Sequence, residues 1–167
     1  MTEKQNIEIK AHYEKHRYAR KILEEKDARK EGLDNQKDTY FNVKKGRLKI
    51  REGDIENSLI YYQREDKETP KISNVSICKL KNPEKVKKVL KTCLGVKVVV
   101  EKEREIYWLE NIKVHLDRVK DLGKFIEFEL MKDKEGSYDT EEDLKNLMGE
   151  FKVEKDDLID RSYSDMI

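Results

Sequence analysis

The run Val96-Lys97-Val98-Val99-Val100-Glu101-Lys102-Glu103-Arg104-Glu105-Ile106-Tyr107-Trp108 carries the reading on which the fold turns. Alternate side chains of a β-strand point to opposite faces. Glu101, Glu103 and Glu105 therefore share one face, while Lys102 and Arg104 share the other. Neither face can meet an apolar core. The segment is either a free ribbon in water or the wall of a barrel with a polar interior. The valines that lead into it argue against the free ribbon.

The same division recurs outward in both directions. Downstream, Lys113, His115 and Asp117 share a face with Ile112, Val114 and Leu116 opposite, and Glu127 and Glu129 share a face with Ile126, Phe128 and Leu130 opposite. Upstream, Arg47, Lys49 and Arg51 point together while Leu48 and Ile50 point away. A solvated sheet face usually mixes signs, because neighbouring like charges repel. Near the start, Ile7 and Ile9 alternate with Asn6, Glu8 and Lys10. If these faces converge, Lys10, Arg47, Lys49, Arg51, Arg64, Lys102, Arg104 and Lys113 meet Glu8, Asp117, Glu127 and Glu129 in one wet space. That inventory suits a polyphosphate with a metal ion. Guanidinium groups pair phosphate oxygens bidentately, and clustered carboxylates attract a hard cation such as Mg2+ or Mn2+.

The rest of the chain supplies strands and helices around those rows. Residues 6–12 read as a strand, and about 14–30 as a surface helix broken by Gly32. Residues 38–43, 47–51, 59–64 and 72–79 read as strands, with a turn at Lys45-Gly46. Asn82-Pro83-Glu84 starts a helix that ends at Gly95, and strands follow over 96–108, 112–117 and 125–130. Thr140-Glu141-Glu142-Asp143 marks a capped helix start. The helix from about residue 140 and the tail with Tyr163 are both candidates for capping one tunnel mouth, and nothing in the sequence tests either.

At 167 residues the chain fits a single domain, 1–167, with one active centre. Charged residues make up 44% of it but cancel to +1, so no nucleic-acid partner is expected and electrostatic specificity must be local. Two cysteines, Cys78 and Cys93, give no disulfide framework and no zinc site, and both read as small core residues. With no apolar leader and no membrane-length run, a cytoplasmic location and no membrane partner are expected.

The rows, taken in order, resemble the CYTH or triphosphate tunnel metalloenzymes, which include class IV adenylyl cyclases, thiamine triphosphatases and inorganic triphosphatases. Asn6-Ile7-Glu8-Ile9-Lys10 resembles the opening Glu-x-Glu-x-Lys signature, with Asn6 in place of its first Glu. Gly46-Arg47-Leu48-Lys49-Ile50-Arg51 and Leu59-Ile60-Tyr61-Tyr62-Gln63-Arg64 resemble its two basic strands. Glu101-Lys102-Glu103-Arg104, Val114-His115-Leu116-Asp117 and Phe125-Ile126-Glu127-Phe128-Glu129 follow its later ones. Each motif alone is weak, but their shared order over residues 6–130 is specific.

The resemblance implies an α+β fold, a closed antiparallel eight-stranded β-barrel tunnel with flanking helices. It also implies a nucleoside or other triphosphate as substrate, Mg2+ or Mn2+ held by Glu8, Asp117, Glu127 and Glu129, and catalysis by Lys10, Lys49 and Arg64. Asn6 leaves a second cation one carboxylate short. The opening and the His115-Leu116-Asp117 strand look closest to the class IV cyclase branch, so cyclisation of ATP is expected first. Hydrolysis of a triphosphate is the alternative, and a non-catalytic polyphosphate-binding module is a third. A homodimer through Ile126, Phe128 and Leu130 is one expectation for those apolar faces, and packing against the chain's own helices is the other.

Overall fold

The computed structural model describes residues 1–66 and 70–167. Eight antiparallel strands close on themselves in the order β1-β5-β4-β3-β2-β6-β7-β8, as the sequence reading expects. They are β1 (Thr2–His12), β2 (Arg29–Phe41), β3 (Arg47–Glu52), β4 (Ser58–Arg64), β5 (Lys71–Lys79), β6 (Val96–Leu109), β7 (Ile112–Val119) and β8 (Gly123–Met131). Helices α1 (His16–Glu25), α2 (Pro83–Leu94) and α3 (Glu141–Glu150) flank them. Among the described residues no helix is long and apolar enough to cross a membrane.

Two of the expected boundaries are corrected. The helix anticipated over 14–30 ends at Glu25, because Asp27 turns left-handed at φ 55° and the chain enters β2 at Arg29 rather than Asp38. In β2 the buried positions Asp34, Gln36 and Asp38 alternate with exposed Leu33, Asn35 and Lys37. A period of two made of polar residues is invisible to a search for apolar alternation. The cross-strand ladder with β6, from Arg29↔Trp108 to Phe41↔Val96, decides the matter. The second correction is β1, which starts at Thr2 rather than residue 6 because its first residues pair with β5.

The helix caps agree with their sequence signals. Asn82 accepts a hydrogen bond from Lys85 N ahead of Pro83, and Thr140 and Asp143 form a capping box on α3. Gly46 serves the β2–β3 turn with φ 67°, where a Cβ would come within 2.8 Å of Tyr61 Oη and Tyr62 O.

The apolar core lies mainly outside the barrel. Ile7, Ile9, Val114, Leu116, Ile126, Phe128 and Leu130 form one cluster with Ala19 and Leu23 of α1, Leu144 and Leu147 of α3, and Phe151. Phe128 meets Phe151 edge-on at 5.2 Å. Each such fully buried side chain contributes roughly 1.5–3 kcal/mol. The chain's own helices thus cover the faces that were one ground for a dimer. Cys93 is exposed on α2 and Cys78 is half-buried, so the expectation of two core cysteines is corrected. Helix α2 buries no side chain, and this leaves its cysteine outside any core.

A second apolar cluster lies inside, at one end of the barrel, where Tyr40, Tyr62, Val100, Val119 and Phe125 meet Ile159 and Tyr163 of the tail. Ile159 N donates to Lys10 O at 2.9 Å, and Lys71 Nζ donates to Asp160 O at 3.1 Å. The tail therefore closes this end, whereas α3, the other candidate cap, packs against the outer face of the barrel.

Lys71 is buried, and burial, with Arg64 and Lys10 nearby, pushes its amine down to about 7. In the unfolded chain the amine titrates near 10.5, so between those values folding releases a proton and stability rises with pH. Urea midpoints followed from pH 7 to 9.5 are expected to climb, and Lys71→Met should lose part of that slope. An identical slope in the variant would contradict the burial effect.

Candidate active site

The cation rows of β3 and β6 converge on one carboxylate of β2. Lys49 Nζ lies 2.8 Å from Asp38 Oδ2, Arg51 Nη2 2.9 Å and Lys102 Nζ 3.0 Å, while Arg51 Nε takes Oδ1 at 2.9 Å. Burial pushes the Asp38 carboxyl up, but Arg51, Lys102 and Lys49 outweigh this and hold it well below the usual carboxylate range. Burial drives the Lys102 amine well below its ordinary value, and Asp38 offsets only part of that. On the adjacent β6–β7 pair, Arg104 makes a two-pronged pair with Asp117 at 2.7 Å on each oxygen. Tyr163 Oη donates to Asp117 Oδ2 at 2.7 Å.

Between these anchors lies a cavity of about 760 Å³, counting space open to solvent. Lys10, Lys49, Arg51, Arg64, Lys102, Arg104 and Lys113 line it, as do Glu8, Glu127 and Glu129, so ten of the twelve residues singled out in the sequence meet there. Arg47 and Asp117 do not line it. Arg47 stands at the first residue of β3, outside that lining, where Asp165 holds it at 2.6 Å and Asp66 at 3.2 Å. Asp117 accepts from Arg104 on both oxygens and from Tyr163 on Oδ2.

Glu8, another of the expected metal carboxylates, lines the cavity and pairs with Arg64. The groups that do approach one another on the β7–β8 wall are His115, Glu127 and Glu129, with ligand atoms all within 4.8 Å. His115 Nδ1 meets Glu127 Oε1 at 3.1 Å, while its Nε2 is buried without a hydrogen-bond partner. Asn6 Nδ2 donates to Glu129 Oε1 at 2.6 Å and its Oδ1 likewise has no partner. The carboxylates of Glu127 and Glu129, close together on one wall with the Asn6 amide beside Glu129, fit a divalent cation. Lys10 Nζ lies 3.3 Å from Glu127 Oε2 and 4.0 Å above the Tyr163 ring. Burial lowers its amine, and Glu127 and Asp117 offset part of that loss.

Several contributors went unread in the sequence. Glu56, in the β3–β4 connection, takes Lys113 Nζ at 2.9 Å and Arg51 Nη1 at 3.1 Å, and no periodicity marks a loop residue. Asp38 lay in the expected strand but carried no motif. Ser162 touches Arg64 and lies 3.1 Å from Tyr62 Oη, a contact that depends on where the tail ends up. Tyr62, two residues before Arg64 on β4, lines the cavity with it.

The CYTH domain model matches residues 4–163. No curated protein matches the chain. Among solved structures, the PH1012 protein from Pyrococcus horikoshii OT3 is 24% identical, with a TM-score of 0.82 over 97% of this chain and 99% of that one. A putative adenylate cyclase from Vibrio parahaemolyticus is 17% identical, TM-score 0.78, covering 98% and 97%. The Hippeastrum protein HpAC1, described as a putative adenylyl cyclase with a dominant triphosphatase activity, is 16% identical, TM-score 0.60, covering 98% and 93%. These likenesses are to the barrel itself. With the family match running from β1 to the tail residue that closes the tunnel, the chain belongs to the CYTH domain family.

Proposed function

We propose that this chain is a divalent-metal-dependent enzyme that acts on a triphosphate in its tunnel, with hydrolysis of the terminal phosphate as the leading reaction. The observation that carries this reading is an excess of positive charge. Eight Lys and Arg side chains line the cavity against four carboxylates. Burial pushes Lys10 and Lys102 below their ordinary values, which marks a site short of negative charge. An entering polyphosphate supplies it, and pushes both amines back up toward their ordinary values.

Each residue then has a role set by its place. Lys49, Arg51, Lys102 and Arg104 are held ready by Asp38 and Asp117, so they take phosphate oxygens with little reorganisation. Arg64, whose Nε lacks a partner, and Lys10 stand beside the carboxylate wall, where charge on a reacting phosphate would build. Lys10, Lys49 and Arg64 are the catalytic candidates, and Lys113 adds a cation at the β7 side. Glu127 and Glu129 are the carboxylates for Mg2+ or Mn2+. When bound, the ion offsets charge on the phosphate oxygens and the leaving group.

Hydrolysis is favoured over cyclisation because no side-chain amide lines the cavity to read a purine edge among the described residues. The triphosphatase activity of HpAC1 supports this order. Cyclisation of ATP is the second reading. Tyr40, Tyr62 and Tyr163 on the cavity wall offer a stacking surface for adenine.

Incubation with ATP, thiamine triphosphate and tripolyphosphate, each with Mg2+ or Mn2+, separates these readings by their products. Released phosphate is expected; cyclic AMP with pyrophosphate would put the second reading first, and ligand bound but intact would overturn catalysis. Lys10→Ala and Arg64→Ala should each lower kcat/KM by roughly 10²–10³-fold, the effect of losing one preorganised electrostatic contact. Arg20→Ala, which breaks an ion pair with Glu105 on the outer surface, should stay within about twofold.

A further inference from the structure

Of the four carboxylates that line the cavity among the described residues, Glu8 stands on β1 and Glu127 and Glu129 on β8, whereas Glu56 comes from the loop between β3 and β4. Its Oε2 takes Arg51 Nη1 at 3.1 Å and its Oε1 takes Lys113 Nζ at 2.9 Å. Arg51 stands on β3 and Lys113 on β7, and the barrel order β3-β2-β6-β7 puts two strands between them. The carboxylate therefore bridges the lumen rather than a pair of neighbouring strands. Burial pushes the Glu56 carboxyl up, but Arg51 and Lys113 outweigh this and hold it well below the usual carboxylate range, so it is an anion at neutral pH. The loop that carries it is fixed. Asp34, fully buried on β2, accepts from Ile55 N at 2.9 Å and from Glu56 N at 3.0 Å. Gly53 sits so close that a Cβ there would come within 2.6 Å of Asp34 Oδ1. The backbone is thus held in place, while the Glu56 side chain, 23% exposed, is free to turn.

We infer that Glu56 is a resident counter-anion: in the empty tunnel it holds the place of a phosphate between Arg51 and Lys113, and an entering triphosphate takes that place by turning it aside. The contrast with Asp38 and Asp117 supports this. Both of those are fully buried and do not line the cavity, so a ligand leaves them where they are. Arg51 stays bound to Asp38 through Nε and Nη2, and Nη1 is the group released to phosphate. Lys113 Nζ has no other carboxylate partner among the described residues and lies 5.5 Å over the Trp108 ring. A phosphate brings more acceptor oxygens and more charge to the same two cations than a carboxylate does. An anion that stayed beside an incoming polyphosphate would repel it. Affinity is then the difference between the hold of the ligand and the hold of Glu56 on these cations, which disfavours singly charged anions and favours phosphate chains. The inference rests on the proposed reading of the cavity as a phosphate site and deepens it by naming what the ligand displaces.

The experiment titrates the full chain with tripolyphosphate in a calorimeter, with the divalent metal left out so that no turnover intrudes. Glu56→Gln keeps the shape and an acceptor oxygen but removes the charge. It is expected to bind tripolyphosphate at least about tenfold more tightly than the native protein, the result of removing a like charge beside the ligand. Glu56→Ala, with no side chain left to prop the loop or Arg51, should bind more tightly as well; a merely structural role would give weaker binding. Lys113→Met should weaken binding less in the native background than in Glu56→Gln, because in the native chain the same change also loosens the resident anion. Equal or weaker binding by both Glu56 variants, an equal effect of Lys113→Met in the two backgrounds, or no tripolyphosphate binding by any of these proteins would overturn the inference. Turnover by the native chain with no gain in the Glu56 variants would sink this inference and leave the proposed function standing; the gain without turnover once metal is restored would do the reverse.

Discussion

The structure depends on keeping many like charges inside one closed sheet. Lys49, Arg51 and Lys102 would repel one another across β2 were Asp38 not placed among them, and Arg104 is matched in the same way by Asp117. Both carboxylates are fully buried. A buried ion pair gives little net stability, since desolvation offsets its attraction, but loss of one partner leaves an uncompensated charge. Asp38 and Asp117 therefore act less as glue than as braces. They hold guanidinium and ammonium groups at fixed positions around a space that an anion can enter.

That arrangement forces the apolar core elsewhere. A barrel of eight strands has room inside for side chains to fill it, and here the waist is filled with charge. The hydrophobic work passes to the outer face of β1, β8, β7 and β6, where α1 and α3 lie, and to the tail-closed end with Tyr163 and Phe125. The same strands thus serve two solvents. Phe128 packs against Phe151 on one side while its neighbours Glu127 and Glu129 face the cavity on the other. The period-two alternation of a strand makes this division possible.

The tail connects the two regions. Ser162 touches Arg64, the Tyr163 ring lies under Lys10, and Asp165 takes Arg47. The residues that close the tunnel are thus also those that set the positions of three cations. The position of Arg47 outside the cavity lining follows from this, because a carboxylate of the tail reaches it first.

The alternation of charge and apolarity in residues 96–108, 112–117 and 125–130 determined the barrel, its polar interior and most of its lining, because a strand's side-chain period is a local property of the backbone. The helix starts at Asn82 and Thr140 were legible for a similar reason, since a cap is satisfied within a single turn. What only the tertiary structure decided was partnership. The polar alternation of β2 gained meaning only against β6, and Asp38 became the brace for three cations only once strands distant in sequence met around it. Asp117 shares its face with Lys113 and His115, yet the register of the β6–β7 hairpin sets it opposite Arg104, while His115 and the loop residue Glu56 come to the cavity wall. Strand parity tells which face a group occupies, but which opposite charge reaches it first is set by the register and closure of the barrel.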